Sequence, residues 1–262
     1  MRNPHFVTPD LIRGPPFLRS RPQEGGSRIK SGMTAIPLRT AASASSRVRM
    51  QVIGDYHKDG YAHLKGLLPP EVPAAFLATF KQDVGGGPIA LQKEHVNLLN
   101  RPALDVYGFH YPPMLFFLWG LTPIVSELVG KELLPTYDYM RLYRRGDVCK
   151  VHFDRYSCEH SLSLTLAYSD GQPWALELGK ARQDPNAGVH DDFGDEPCSA
   201  IPMAVGDAVL YQGVHHRHGR TAPNPNAWSA HLFLHWVDRD GPHRDQAFDG
   251  NGAPPLVDFQ FV

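Results

Sequence analysis

SLSLTLAY, residues 161–168, alternates without a break: Leu162, Leu164 and Leu166 fall on one face, Ser161, Ser163 and Thr165 on the other. A period of two marks a β-strand, because successive side chains leave opposite faces of the pleat. Neighbouring segments also read as strands, several of them alternating. Upstream lie TYDYMRLYRRGD (136–147) and VCKVHFD (148–154); downstream lie PWALELG (173–179), AIPM (200–203), DAVLYQG (207–213) and SAHLFLHWV (229–237). All are short, rich in β-branched and aromatic residues, and separated by Gly, Asp and Pro. Residues 180–196 are polar and carry Gly and Asp, as expected of an insert between strands.

Before this β-rich half the pattern is helical. YHKDGYAHLKGLL (56–68) predicts a short strand and turn, and PPEVPAAFLATFKQDV (69–84) a Pro-led helix. NRPALDVYGFHYPP (100–113) is loop-like, and a second helix is expected over about 113–130. Helices followed by seven or so strands predict an α+β, mainly β fold, with the strands closing into a sandwich or barrel. One domain over 50–262, with its core at 136–240, accounts for the pattern.

Residues 1–49 differ: rich in Arg, Pro, Ser and Gly, and almost without acid. The words HFVTPDLIRGP (5–15) and RIKSGMTA (28–35) resemble a translated intergenic repeat, which would place the true start at Met33 or Met50. A disordered or spurious extension is expected here, with AASASS (41–46) a flexible connector. The net charge of -1, with 20% charged residues, offers no basic excess for a nucleic-acid backbone. The most apolar run, MLFFLWGLTPIVSELVG (114–130), contains Gly, Pro and Glu and is expected as a buried helix rather than a membrane span. Three cysteines, Cys149, Cys158 and Cys198, form no CxxC and are odd in number. That favours a reduced, cytoplasmic protein whose cysteines pack as small apolar groups.

Histidine is frequent, 14 in all, and most lie beyond residue 150. His152 and Asp154 are two apart on an expected strand, so both leave one face and could reach a single cation. A histidine from a distant strand would complete a three-ligand face, the donor set of non-haem Fe(II) oxygenases. An HxD pair alone is often just a polar strand face. GVHHRHGR (213–220) offers the third ligand, and alternation sets His216 and His218 on one face with His215 opposite.

The order of segments resembles the 2-oxoglutarate/Fe(II)-dependent dioxygenases, especially the prolyl 4-hydroxylase-like branch. The resemblance rests on Tyr143-x-x-Gly146, His152-x-Asp154, SLTLAYSD (163–170), GDAVLY (206–211), a distal histidine and HLFLHW (231–236). It covers roughly 136–240, with weaker support from DGYAHLKGLLPPEV (59–72). It implies a double-stranded β-helix, a jelly-roll or cupin-like barrel with flanking N-terminal helices, holding Fe(II) at one mouth. It also implies use of 2-oxoglutarate and O2 to hydroxylate a small-molecule or peptide substrate. The distal ligand, commonly followed by Gly-Arg, becomes His218, with His216 the fallback. His110, His160, His231, His235 and His243 are expected as packed or solvated histidines.

Family members commonly pair the far carboxylate of 2-oxoglutarate with a basic residue about ten positions past the distal histidine. Here that region is NPNAWSAH (224–231), with no Arg or Lys. Arg220 is the expected substitute, its planar fork suiting a carboxylate. Arg141 and Lys150 are alternatives, and Ser229 and His231 weaker polar partners. Tyr143 stands where relatives place a tyrosine contacting the cosubstrate. Trp174 replaces a glycine usual in prolyl hydroxylases and should narrow the rim. Three rival functions share these residues: a non-catalytic cupin-like barrel, a zinc-dependent hydrolase and a structural β-sandwich.

Overall fold

The computed structural model describes residues 50–85, 97–185, 188–251 and 258–260. The expected extension, 1–49, lies outside them. β1 (Gln51–Ile53) leads into a single helical turn, α1 (Tyr56–Asp59), where a strand was expected to begin. The Asp55 carboxylate accepts from the amides of His57 (3.0 Å) and Lys58 (3.1 Å), a side-chain cap that stabilises even so short a turn. β2 (Tyr61–Lys65) and α2 (Glu71–Asp83) follow as anticipated.

β3 (Leu104–Tyr107) sits inside the segment expected as loop. Its four residues pair with β4 (Leu133–Arg144), so tertiary pairing fixes a strand that local composition does not announce. α3 (Leu115–Val129) is half-buried rather than buried. Leu118, Leu121, Val125 and Val129 pack on the sheet, whereas Phe116 and Trp119 are 73% and 55% exposed. By length and composition Pro112–Val129 would suffice to cross a membrane, but its inner face belongs to the core of this fold.

The remaining strands are β5 (Cys149–His152), β6 (His160–Tyr168), β7 (Leu176–Gly179), β8 (Cys198–Ile201), β9 (Ala208–Tyr211), β10 (His218–Arg220) and β11 (Trp228–Asp238). Among the described residues they form two antiparallel sheets, ordered β1-β2-β9-β6-β11-β4-β3 and β5-β10-β7-β8. The outer face of the larger sheet carries Leu162, Leu164, Leu166, Met140, Leu232 and Trp236 against the helices. Each such fully buried aliphatic side chain contributes on the order of 1.5–3 kcal/mol.

The polar face of β6 does not meet solvent. Ser161, Ser163 and Thr165 are wholly buried and look into the space between the sheets. Alternation therefore separates an apolar outer core from a polar interior, and that interior holds the site.

Candidate metal centre

The interior cavity draws side chains from both sheets: Tyr139, Arg141 and Tyr143 of β4, Phe233 and His235 of β11, and His152, His218 and Arg220 opposite. His152 closes β5 and His218 opens β10, and the two are direct register partners. Asp154 lies just past the end of β5, not on it as expected. Its amide donates to the Gly213 carbonyl (3.0 Å), which returns its carboxylate to the histidines. A Cβ at Gly213 would overlap Asp154 Oδ2, so the turn after β9 must be glycine for the carboxylate to sit there.

One ligand atom from each of His152, Asp154 and His218 can be chosen so that all three lie within 4.8 Å of one another. His152 Nε2 is 3.7 Å and His218 Nε2 3.4 Å from Asp154 Oδ1. Backbone geometry fixes the tautomers. His152 Nδ1 meets the Lys150 carbonyl at 2.7 Å and His218 Nδ1 meets the His216 carbonyl at 3.0 Å. A carbonyl only accepts, so both Nδ1 atoms carry hydrogen and both Nε2 lone pairs face Asp154.

The carboxylate is held from behind. Ser161 Oγ donates to Asp154 Oδ2 (3.0 Å), and His235 Nδ1 contacts the same hydroxyl at 2.9 Å. With the hydroxyl hydrogen committed to Asp154, His235 donates to Ser161, leaving its Nε2 without a partner. Burial opposes charge on Asp154, but the flanking histidines outweigh it and hold its carboxyl well below the usual carboxylate range. Burial likewise opposes charge on His218, and Asp154 outweighs it, raising His218 above the ordinary histidine value. His152, buried and beside His218, is lowered. Burial pushes His235 down to about 4, so it is neutral near pH 7. Two imidazole nitrogens and an ionised carboxylate converging on one point suit Fe(II) or another borderline divalent ion.

His216, the alternative distal ligand, lies elsewhere. It precedes β10, so strand alternation does not govern it; its Nδ1 donates to the Gly179 carbonyl (3.0 Å) and its ring packs on Gly60.

The basic candidates separate by their partners. Lys150 points outward to Asp191 (2.8 Å). Arg141 is closed into a bidentate pair with Asp105, both contacts 2.6 Å. Arg220, 1% exposed, meets only neutral groups: the Trp174 carbonyl (3.0 Å), Ser163 Oγ (3.3 Å) and His231 Nδ1 (3.4 Å). Among the described residues no carboxylate pairs with it. It shares β10 with His218, two residues or roughly 6–7 Å along the strand. Trp174 is buried behind it, ring centroid 5.0 Å from the guanidinium, rather than at the rim. Tyr143, 1% exposed, stands edge-on to Trp174 (4.9 Å) in the same wall, its hydroxyl pushed up by burial. Ser229 accepts from Asn224 and is turned to that turn.

No protein-family model matches the chain, and no curated protein matches it. Solved structures do. The non-haem α-ketoglutarate-dependent epimerase SnoN of nogalamycin biosynthesis superposes with TM-score 0.55 at 15% identity, over 77% of this chain and 90% of that one. The carbocyclase SnoK of the same biosynthesis gives 0.55 at 15%, over 75% and 85%. HygX from Streptomyces hygroscopicus, with nickel, 2-oxoglutarate and hygromycin B bound, gives 0.54 at 10%, over 71% and 85%. The fold is that of the 2-oxoglutarate/Fe(II) oxygenases. It is therefore the double-stranded β-helix that the sequence implied.

In this fold the cavity opens beside His152 and Asp154 into a cleft of about 540 Å³, walled by Tyr107, Tyr137, Tyr139, Phe153 and the Arg141–Asp105 pair. Sequence reasoning missed His235, Ser161 and this aromatic wall. The signal was present in strand alternation: Ser161 is on the polar face of β6, and Tyr137, Tyr139, Arg141 and Tyr143 recur at i+2 along β4.

Proposed function

We propose that the protein is an oxidoreductase that couples oxidative decarboxylation of 2-oxoglutarate to hydroxylation of a small-molecule or peptide substrate. The observation that carries this reading is a pairing within one strand. β10 presents His218, beside His152 and Asp154, at one end, and at the other Arg220, a buried cation with no acid partner among the described residues. A buried unpaired charge is costly, and a dicarboxylate ligand supplies the missing anion.

In this reading His152, Asp154 and His218 hold Fe(II), and Arg220 pairs with the far carboxylate of 2-oxoglutarate, with Tyr143 beside it. Iron held there supplies the oxygen-activating chemistry driven by decarboxylation of the keto acid. The protein's own contribution is positional. The Lys150 and His216 carbonyls fix the imidazoles, Ser161 fixes the carboxylate, and Tyr143, Trp174 and Phe233 keep the cavity dry. The aromatic cleft then places a substrate C–H bond beside His152 and Asp154.

The test is succinate formation in air from 2-oxoglutarate with Fe(II) and ascorbate, scored with panels of small molecules and peptides. Iron-dependent succinate, with product gaining one oxygen atom, is expected. The superposing epimerase and carbocyclase make product mass the readout that separates hydroxylation from other oxidations. Zinc-dependent hydrolysis without succinate would overturn the assignment.

A further inference from the structure

A second cavity, of about 390 Å³, lies on the other side of β4 from the metal centre, between α3 and the C-terminal turn Arg244–Gly250. Its walls are mostly apolar: Phe109, Leu115, Leu118, Trp119, Pro135 and Phe248. Asp138 also lines it. This residue is 1% exposed, and neither carboxylate oxygen has a hydrogen-bond partner. A Cβ at Gly108 would overlap Asp138 Oδ1, so the carboxylate packs against that backbone within a mostly apolar lining. Burial pushes the Asp138 carboxyl up to about 7, outweighing the opposing effect of its own backbone. Among the described residues nothing uses this acid, and an unsatisfied buried carboxylate is a standing cost.

The turn forming the far wall is strained as well. Phe248 (φ 54°) and Asp249 (φ 57°) are consecutive non-glycine residues in the left-handed region, which a bulky residue such as Phe rarely adopts. Asp249 lines the cavity and accepts from Arg155 (3.0 Å), whose guanidinium lies 4.4 Å from the centre of the Tyr137 ring. The turn is thus fastened against the cavity. Unpartnered acid and strained backbone, both at one apolar pocket, are the pattern of a ligand site rather than of a folding core.

We infer that this cavity binds a protonated amine carried on an apolar, ring-sized body, with Asp138 as the ammonium acceptor and Trp119, Phe109 and Phe248 enclosing the apolar part. Two free carboxylate oxygens favour an ammonium bearing N–H over a quaternary one, and aromatic walls favour a cation over a neutral group. The site is separate from the metal centre, although Tyr137 borders both cavities, and it does not depend on the reaction proposed there.

Isothermal titration of metal-free, full-length protein with phenethylammonium tests this, metal being removed so that the amine cannot ligate iron. Saturable binding is expected, with phenethyl alcohol at least about tenfold weaker, the equivalent of about 1.4 kcal/mol for the ion pair. Asp138→Asn should lose binding by about tenfold or more, and Trp119→Ala, at the exposed rim, should weaken it while leaving the fold intact by circular dichroism. Should Asp138→Asn fail to fold, the alcohol comparison and Trp119→Ala decide. Equal affinity for amine and alcohol, no effect of either substitution, or no saturable binding overturns the proposal.

Discussion

Asp154 and Asp138 are two carboxylates withdrawn from water on opposite sides of one sheet, and their surroundings make them opposite in character. Asp154 sits among His152, His218 and Ser161 and is held ionised. Asp138 sits among Leu115, Leu118 and the Gly108 backbone, without a partner, and its carboxyl rises to about 7. Burial pushes both toward neutrality; partners decide which of them keeps its charge. The two arginines of the interior repeat the lesson. Arg141 is spent on Asp105, whereas no carboxylate among the described residues pairs with Arg220.

The largest effect expected from breaking this contrast is at the metal centre. Asp154→Ala and His218→Ala should each reduce iron-dependent succinate formation to background, while His216→Ala, outside the cluster, retains it. Loss of activity in His216→Ala alone would reassign the distal ligand.

Next in size is the pH dependence of stability set by Asp138. Its folded carboxyl is raised to about 7 from an ordinary value near 3.8, so between those values the folded state holds a proton that the unfolded chain has lost. Stability therefore falls as pH rises through this window, by as much as about 4 kcal/mol above pH 7. Thermal unfolding of Asp138→Asn should lack this decline: the variant melts higher than the parent at pH 8, and the two converge below pH 4. Parallel curves at all pH values would show that Asp138 is partnered in solution.

Smaller is the effect at Arg220. Arg220→Leu should raise the KM for 2-oxoglutarate by about 10–100-fold, matching the loss of about 1.4–2.7 kcal/mol of charge-assisted hydrogen bonding, while Fe(II) binding persists. Arg141→Leu should instead act first on stability, because it removes the bidentate partner of a buried carboxylate. If Arg141→Leu rather than Arg220→Leu raises that KM, the cosubstrate anchor is misassigned.

Much of this was legible in the sequence, for identifiable reasons. Period-two alternation marked β4, β6 and β11, because strands buried on one apolar and one polar face must alternate, and a short apolar, β-branched run marked β9. His152, Asp154 and His218 were legible as a set because their segments fall in a resembling order. Other features depend on distant contacts. β3 is a strand only because β4 pairs with it. Asp154 reaches its place through Gly213 rather than through strand periodicity. His216 and His218 look equivalent in GVHHRHGR, and only the start of β10 between them sends one ring to Gly179 and the other inward. Asp138 is a single acid in an alternating strand, and no local pattern distinguishes a solvated acid from a stranded one.

The central claim is that His152, Asp154, His218 and Arg220 together hold Fe(II) and 2-oxoglutarate. Anaerobic titration of the protein with Fe(II) and then 2-oxoglutarate tests it most directly. The account predicts a weak visible metal-to-ligand charge-transfer band that saturates with the keto acid, is absent in Asp154→Ala and needs a higher concentration in Arg220→Leu. Fe(II) binding by the parent protein with no such band at saturating 2-oxoglutarate would contradict it.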